Sequence, residues 1–122
     1  MENKKAIKLI DKIIANLDET GINTNVLIDD IKELRTYALE QQVPLVVKVL
    51  RLAYEHIESN NSFLIPIPND EEFEDQEETF NEDEDTVDSV ESLKYFIALT
   101  RNLNNKINIL DLKEYKAHLM AN

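Results

Sequence analysis

The sequence predicts an all-α fold, a compact bundle of about five helices with a central antiparallel helical hairpin. Two observations favour this class. Hydrophobic residues make up 43% of the chain and recur at spacings of three and four, as on one face of a helix. The 122 residues include one glycine and three prolines, whereas tightly turned β architectures need more glycine in their connections. At this length we expect a single helical domain, residues 1–122, with its own core.

The first helix is predicted from about Asn3 to Thr20, with apolar residues along one face and lysines along the other. The only glycine of the chain follows it directly. With Gly21 just past the helix end, Leu17 and Ile22 are the pair that touches in a Schellman motif. We therefore expect Gly21 to end the first helix.

The second and third helices are predicted to form the central hairpin. The second runs from Val26 to about Gln42, and the third covers residues 44–59. In the third, the polar side chains form a single narrow stripe, which predicts a helix largely surrounded by other helices. Pro44 fits the first helical position, where its missing N–H is not needed. The short connection before it predicts an antiparallel arrangement.

Residues 60–69 are predicted to form an extended strap across the bundle. The prolines of this segment exclude a central strand and favour extended backbone. We expect Phe63, Leu64 and Ile65 to fill a groove between helices. The alternative, an exposed proline-containing ligand for a partner, lacks a spaced PxxP motif with a basic flank.

Residues 70–87 are predicted to be a long acidic loop that is flexible on its own. Of the 25 acidic residues, 13 lie between Asp70 and Glu91, where there is no Lys or Arg. The remaining chain has 12 acidic and 13 basic residues and is near neutral, although the net charge of the whole is −12. Like charges at this density repel, and few apolar residues offset the entropy of ordering. Any electrostatic function is therefore expected from this segment.

Two more helices follow the acidic loop. Asp88 and Glu91 resemble a capping box, which predicts the start of a fourth helix over about residues 89–103. Asn108 has the same relation to the residue three positions later, so a last helix is predicted over residues 109–120.

No catalytic, cofactor-binding or metal-binding residue is identified. His56 and His118 are the only histidines, neither has an HExxH-type partner, and we expect each at or near the surface. The single glycine excludes a glycine-rich phosphate loop, and the absence of cysteine excludes disulfides and thiolate metal sites. An EF-hand that starts at Asn81 fails because Thr86 replaces its glycine. We therefore expect no cofactor and do not expect an enzyme.

No apolar run approaches the roughly 20 residues that span a bilayer, and Lys8 and Asp11 interrupt the apolar pattern that a secretion signal would need. The expectation is a soluble, cytoplasmic protein that does not bind membranes. Direct binding of nucleic acid is not expected either, because the basic residues form no stripe in the sequence and the acidic loop repels phosphates.

The first functional hypothesis is a small helical protein-interaction module whose acidic segment engages a partner with a basic surface. Mimicry of nucleic acid by the same segment is a special case of it. The residues proposed to contact the partner combine the two aromatic rings of the segment with its densest acids: Phe73, Phe80, Glu82, Asp83, Glu84 and Asp85.

Three alternatives accompany this hypothesis. One is a small-molecule-binding or enzymatic bundle with a pocket near the end of the third helix, using Tyr54, Glu55 or His56. Another is that the acidic segment is only a solubilising linker. The apolar residues on many helix sides are also compatible with a homodimer.

Overall fold

The computed structural model describes residues 3–68 and 89–121, and these residues form five α-helices and no strand. The predicted all-α bundle is confirmed, whereas the acidic loop predicted over residues 70–87 lies outside the described residues. In chain order the helices are α1 (Lys4–Thr20), α2 (Thr24–Glu40), α3 (Pro44–Asn60), α4 (Ser89–Leu99) and α5 (Lys106–Ala121).

Both ends of α1 are fixed by the residues that flank it. The side chain of Asn3 accepts hydrogen bonds from the N–H groups of Lys5 and Ala6, at 2.7 and 3.2 Å. Gly21 has φ +71° and ψ −152°, a backbone conformation that is essentially restricted to glycine. Its N–H donates to the carbonyl of Leu17 at 3.0 Å. Gly21 therefore ends α1, as predicted.

The Schellman hydrogen-bond pattern occurs at the end of α2 and not, as predicted, at Gly21. The N–H of Val43 donates to the carbonyl of Ala38, and the N–H of Gln42 donates to Leu39, both at 3.1 Å. Gln42 takes the positive φ, +56°, that a glycine usually occupies. Pro44 is the first residue of α3, as predicted. The predicted hairpin of α2 and α3 is confirmed.

Three helices differ from their predicted boundaries by two or more residues. α2 begins at Thr24 and ends at Glu40, two residues before the predicted start and end. α4 ends at Leu99 because the N–H groups of the next two residues bond three residues back, in a tight final turn. α5 begins at Lys106 and not at Ile109, since the side chain of Asn105 caps it by accepting from the N–H of Ile107 at 2.8 Å. Asn108, the predicted cap, is helical, and its side chain donates to the carbonyl of Asn102 at 2.9 Å.

The helices close into a ring around one core. α1 packs against α2 and α4, α3 packs against α2 and α5, and α4 also packs against α5. Two ion pairs also connect these parts of the chain. The exposed Asp18 of α1 pairs with the half-buried Lys94 of α4 at 2.5 Å, and the exposed Asp11 pairs with Arg101 just beyond α4. The third helix thus has two main neighbours, and its buried face is formed by Val46, Val49, Leu50, Ala53, His56 and Ile57.

The predicted strap of residues 60–69 is described as far as Pro68, and two of the three side chains predicted to fill a groove are buried. Phe63 and Ile65 are fully buried, whereas Leu64 is 49% exposed. Successive side chains of an extended backbone point to opposite sides, so Leu64 could not enter the groove together with its neighbours. The ring of Phe63 packs between α4 and α5. Its centre lies 5.7 Å from the ring centre of Phe96 and 6.0 Å from that of Tyr115.

A buried polar cluster ties the strap to α4 and α5. The hydroxyl of Ser92 donates to the carbonyl of Ile65 at 2.5 Å, and the hydroxyl of Tyr115 donates to the carbonyl of Ser92 at 3.0 Å. Tyr115 is fully buried, and burial raises the pKa of its phenol. The cluster satisfies polar groups that would otherwise weaken the core.

Candidate functional site

The predicted partner-binding residues lie outside the described part of the chain. This holds for Phe73 and Phe80 and for the acidic run of residues 82–85. Their role stays a prediction.

The enzymatic alternative placed a pocket at His56, where the structure has a shallow depression. Its volume is 180 Å³, it opens to solvent, and Glu55, His56 and Leu119 are among its lining residues. His56 is buried, and its Nε2 accepts a hydrogen bond from the N–H of Leu64 at 3.0 Å. The Nε2 of this histidine is thus engaged by the backbone, and the enzymatic alternative stays a prediction.

No group of three or more potential metal ligands occurs among residues 3–68 and 89–121. His118 lies within 3.4 Å of the Glu114 carboxylate on the exposed side of α5, an i,i+4 pair that is ordinary on a helix surface. None of the described helices is long and apolar enough to cross a membrane.

An open apolar groove lies where α2 turns into α3, and we call it the hairpin groove. Its volume is 430 Å³. Leu39, at the end of α2, is 51% exposed, and Pro44 is exposed at the start of α3, while Val43 and Val47 are half-buried. The residues that line the groove are Arg35, Leu39, Gln42, Val43, Pro44, Val47, Lys48 and Arg51.

Among the residues that the structure describes, three basic residues and no acidic residue line the hairpin groove. Arg35 comes from α2, and Lys48 and Arg51 come from α3, so cationic groups from both helices border the apolar surface. Such an arrangement concentrates positive potential at an apolar surface.

The guanidinium groups retain donors for a partner. The Nε of Arg35 donates to the carbonyl of Val47 at 3.2 Å, which uses one of the five N–H donors of arginine and holds the side chain across the groove. The Nε of Arg51 contacts the carboxylate of Glu55 at 3.2 Å in an exposed i,i+4 pair. Pairs of this kind contribute little and exchange readily.

The basic character continues beyond the groove along the same two helices. The Nζ of Lys32, one turn before Arg35 in α2, lies 5.2 Å from the ring centre of Tyr54 in α3. Lys32, Arg35, Lys48 and Arg51 thus line the outer surface of the hairpin.

Sequence reasoning did not find this site. The basic residues are separated in the sequence, and it takes the antiparallel pairing of α2 and α3 to bring Arg35 next to Lys48 and Arg51. One local signal could have indicated it: Leu39 falls outside the apolar stripe that Leu27, Ile31, Leu34 and Ala38 form on α2.

A second exposed apolar surface occurs on α5. Ile107 and Leu110, three residues apart on one side of the helix, are 59% and 61% exposed. These exposed side chains make α5 apolar on two sides, which explains why its first residue was not predicted correctly from the sequence.

Comparisons with protein-family models, with curated proteins and with solved structures find no match to this chain.

Proposed function

We propose that this protein is a small helical protein-interaction module, which uses the hairpin groove for one partner surface and its acidic segment, residues 70–87, for a basic one. The observation that supports the proposal is the hairpin groove itself. An exposed apolar surface bordered by charged groups is typical of protein-binding sites, in which an apolar centre is surrounded by a polar rim. The open form of the groove suits a protein segment better than an enclosed small molecule.

The groove can be tested by comparing the proteins captured by two variants, each of which replaces one exposed leucine by glutamate. Leu39→Glu places a charge on the apolar surface of the groove. Leu110→Glu makes the same change at a similarly exposed position of α5, since the two leucines are 51% and 61% exposed. We expect proteins that the full chain and Leu110→Glu both retain and that Leu39→Glu loses. If Leu39→Glu retains the same set as the unchanged chain, the groove is not the binding surface.

The acidic segment is tested separately by removing residues 70–87. We expect this deletion to lose a different set of partners, rich in Lys and Arg, whose binding weakens steeply with salt. An unchanged partner set would leave the acidic segment as a solubilising linker. Competition between the chain and DNA for a captured basic protein would favour mimicry of nucleic acid.

A further inference from the structure

We infer that the hairpin groove binds an acidic polypeptide segment of another protein, one that carries a large apolar side chain between its carboxylates. The inference rests on the proposed interaction function and specifies the chemistry of the partner.

The apolar part of the groove sets the first requirement. Leu39 is half exposed, and it stands beside Pro44 and Val47 in a space of 430 Å³. Burial of this surface is favourable only for an apolar group of the partner. The space is of the size that accommodates one or two large side chains.

The charges set the second requirement. Arg35, Lys48 and Arg51 line the groove, and no other described residue that lines it carries a charge. A basic partner segment would be repelled there, whereas Asp or Glu side chains on both sides of an apolar anchor would pair with the cations. Arg35 is held in position by the carbonyl of Val47, so less side-chain freedom is lost on binding.

The composition of the groove favours a polypeptide over nucleic acid. Phosphates would also be attracted by three cations, but sites for single-stranded nucleic acid use aromatic rings on which bases stack. Within residues 3–68 and 89–121, no aromatic residue lines the hairpin groove.

The test selects ligands of the full chain from a library of random peptides displayed on phage. We expect the selected peptides to contain several Asp or Glu residues around a Leu, Phe or Trp. Selection of basic or uncharged peptides, or of none, would overturn the inference.

Two double variants of identical charge change locate the binding site. Lys48→Glu with Arg51→Glu reverses the rim of the groove, and Lys5→Glu with Lys8→Glu makes the same change, at the same spacing, on α1. All four residues are exposed. We expect the rim variant to lose affinity for the selected peptides by about tenfold or more and the α1 variant to retain it. Equal losses in both would show a general effect of net charge and contradict the inference.

Two further measurements test for other occupants of the hairpin groove. Binding of anionic phospholipid vesicles that the rim variant loses, without any selected peptide, would assign the groove to a membrane surface and overturn the inference. Peptides that bind only after removal of residues 70–87 would show that this chain fills its own groove and would overturn the assignment to another protein. If the selected peptides are uncharged while Leu39→Glu still loses captured partners, the interaction function stands and the acidic partner is wrong.

Discussion

The Nε2 of His56 accepts a hydrogen bond of 3.0 Å from the backbone N–H of Leu64, which joins α3 to the strap. Since an N–H group can only donate, this nitrogen must carry no proton, and the neutral ring has its proton on Nδ1. The ring of His56 is buried and packs against that of Phe63 in a T-shaped arrangement. This burial lowers the pKa of His56 from its ordinary value of 6.5.

The free energy of unfolding is therefore expected to depend on pH through His56. Below about pH 6.5 the unfolded chain takes up a proton on this residue that the folded chain resists, so stability falls as the pH drops from 7 towards 5. The variant His56→Gln, whose side-chain oxygen can accept from Leu64, should show a weaker decline over this interval. Urea unfolding at pH 7, 6 and 5 measures the difference, and His118→Gln serves as the exposed control. Equal slopes for all three chains would contradict the assignment.

Ser92→Ala tests the buried polar cluster. The change leaves the carbonyl of Ile65 without its donor inside the core, and we expect a loss of about 1–3 kcal/mol in the free energy of unfolding. Ser89→Ala, at the start of the same helix, removes the partly buried hydroxyl that accepts from Ser62 at 3.0 Å and should cost less. Chemical unfolding measures the loss in the free energy of unfolding for both variants. Similar losses would mean that the buried cluster stabilises the fold no more than the hydrogen bond of Ser89 does.

Leu50→Asp tests the core surface of α3. Leu50 is fully buried, and an unpaired carboxylate there should cost several kcal/mol, comparable with the whole stability of a small domain. We expect the variant to lose its helical circular dichroism signal, while Lys48→Asp, exposed on the same helix, keeps it. A folded Leu50→Asp variant would show that this position is less enclosed than the structure indicates.

Replacing the acids of residues 70–87 by Asn and Gln should leave the melting temperature unchanged or raise it, because the replaced charges repel one another. Calorimetry at low and high salt measures this, and any gain should shrink as salt screens the repulsion. A lower melting temperature would mean that these carboxylates stabilise the fold.

The helical elements could be predicted because their causes are local. Gly21, Pro44 and the spacing of apolar residues specify helix ends and buried faces without knowledge of the rest of the molecule. Asn105 and Asn108 show where local reasoning fails. Both suit a helix cap, and the exposed Ile107 and Leu110 blur the apolar pattern that would have chosen between them.

The hairpin groove and the buried hydrogen bond of the Tyr115 hydroxyl could not be predicted, because both depend on pairing between distant residues. The basic border of the groove arises only when α2 and α3 lie side by side. The Tyr115 hydroxyl donates to the carbonyl of Ser92 in α4, which lies 23 positions earlier in the sequence. The functional hypothesis depended mainly on the acidic segment, whose residues 70–87 lie outside the described part of the chain.

The ring of helices has a consequence for the synthesis of this protein. α1 leaves the ribosome before α2 to α5, and α2 follows it directly, yet its other partner α4 begins only at Ser89. The Asp18–Lys94 contact joins residues 76 positions apart. The part of the apolar face of α1 that packs against α4 therefore stays uncovered until residues 89–99 have been made. Native pairings so distant in sequence slow folding, so a nascent chain truncated before α4 should be the form that needs chaperone protection.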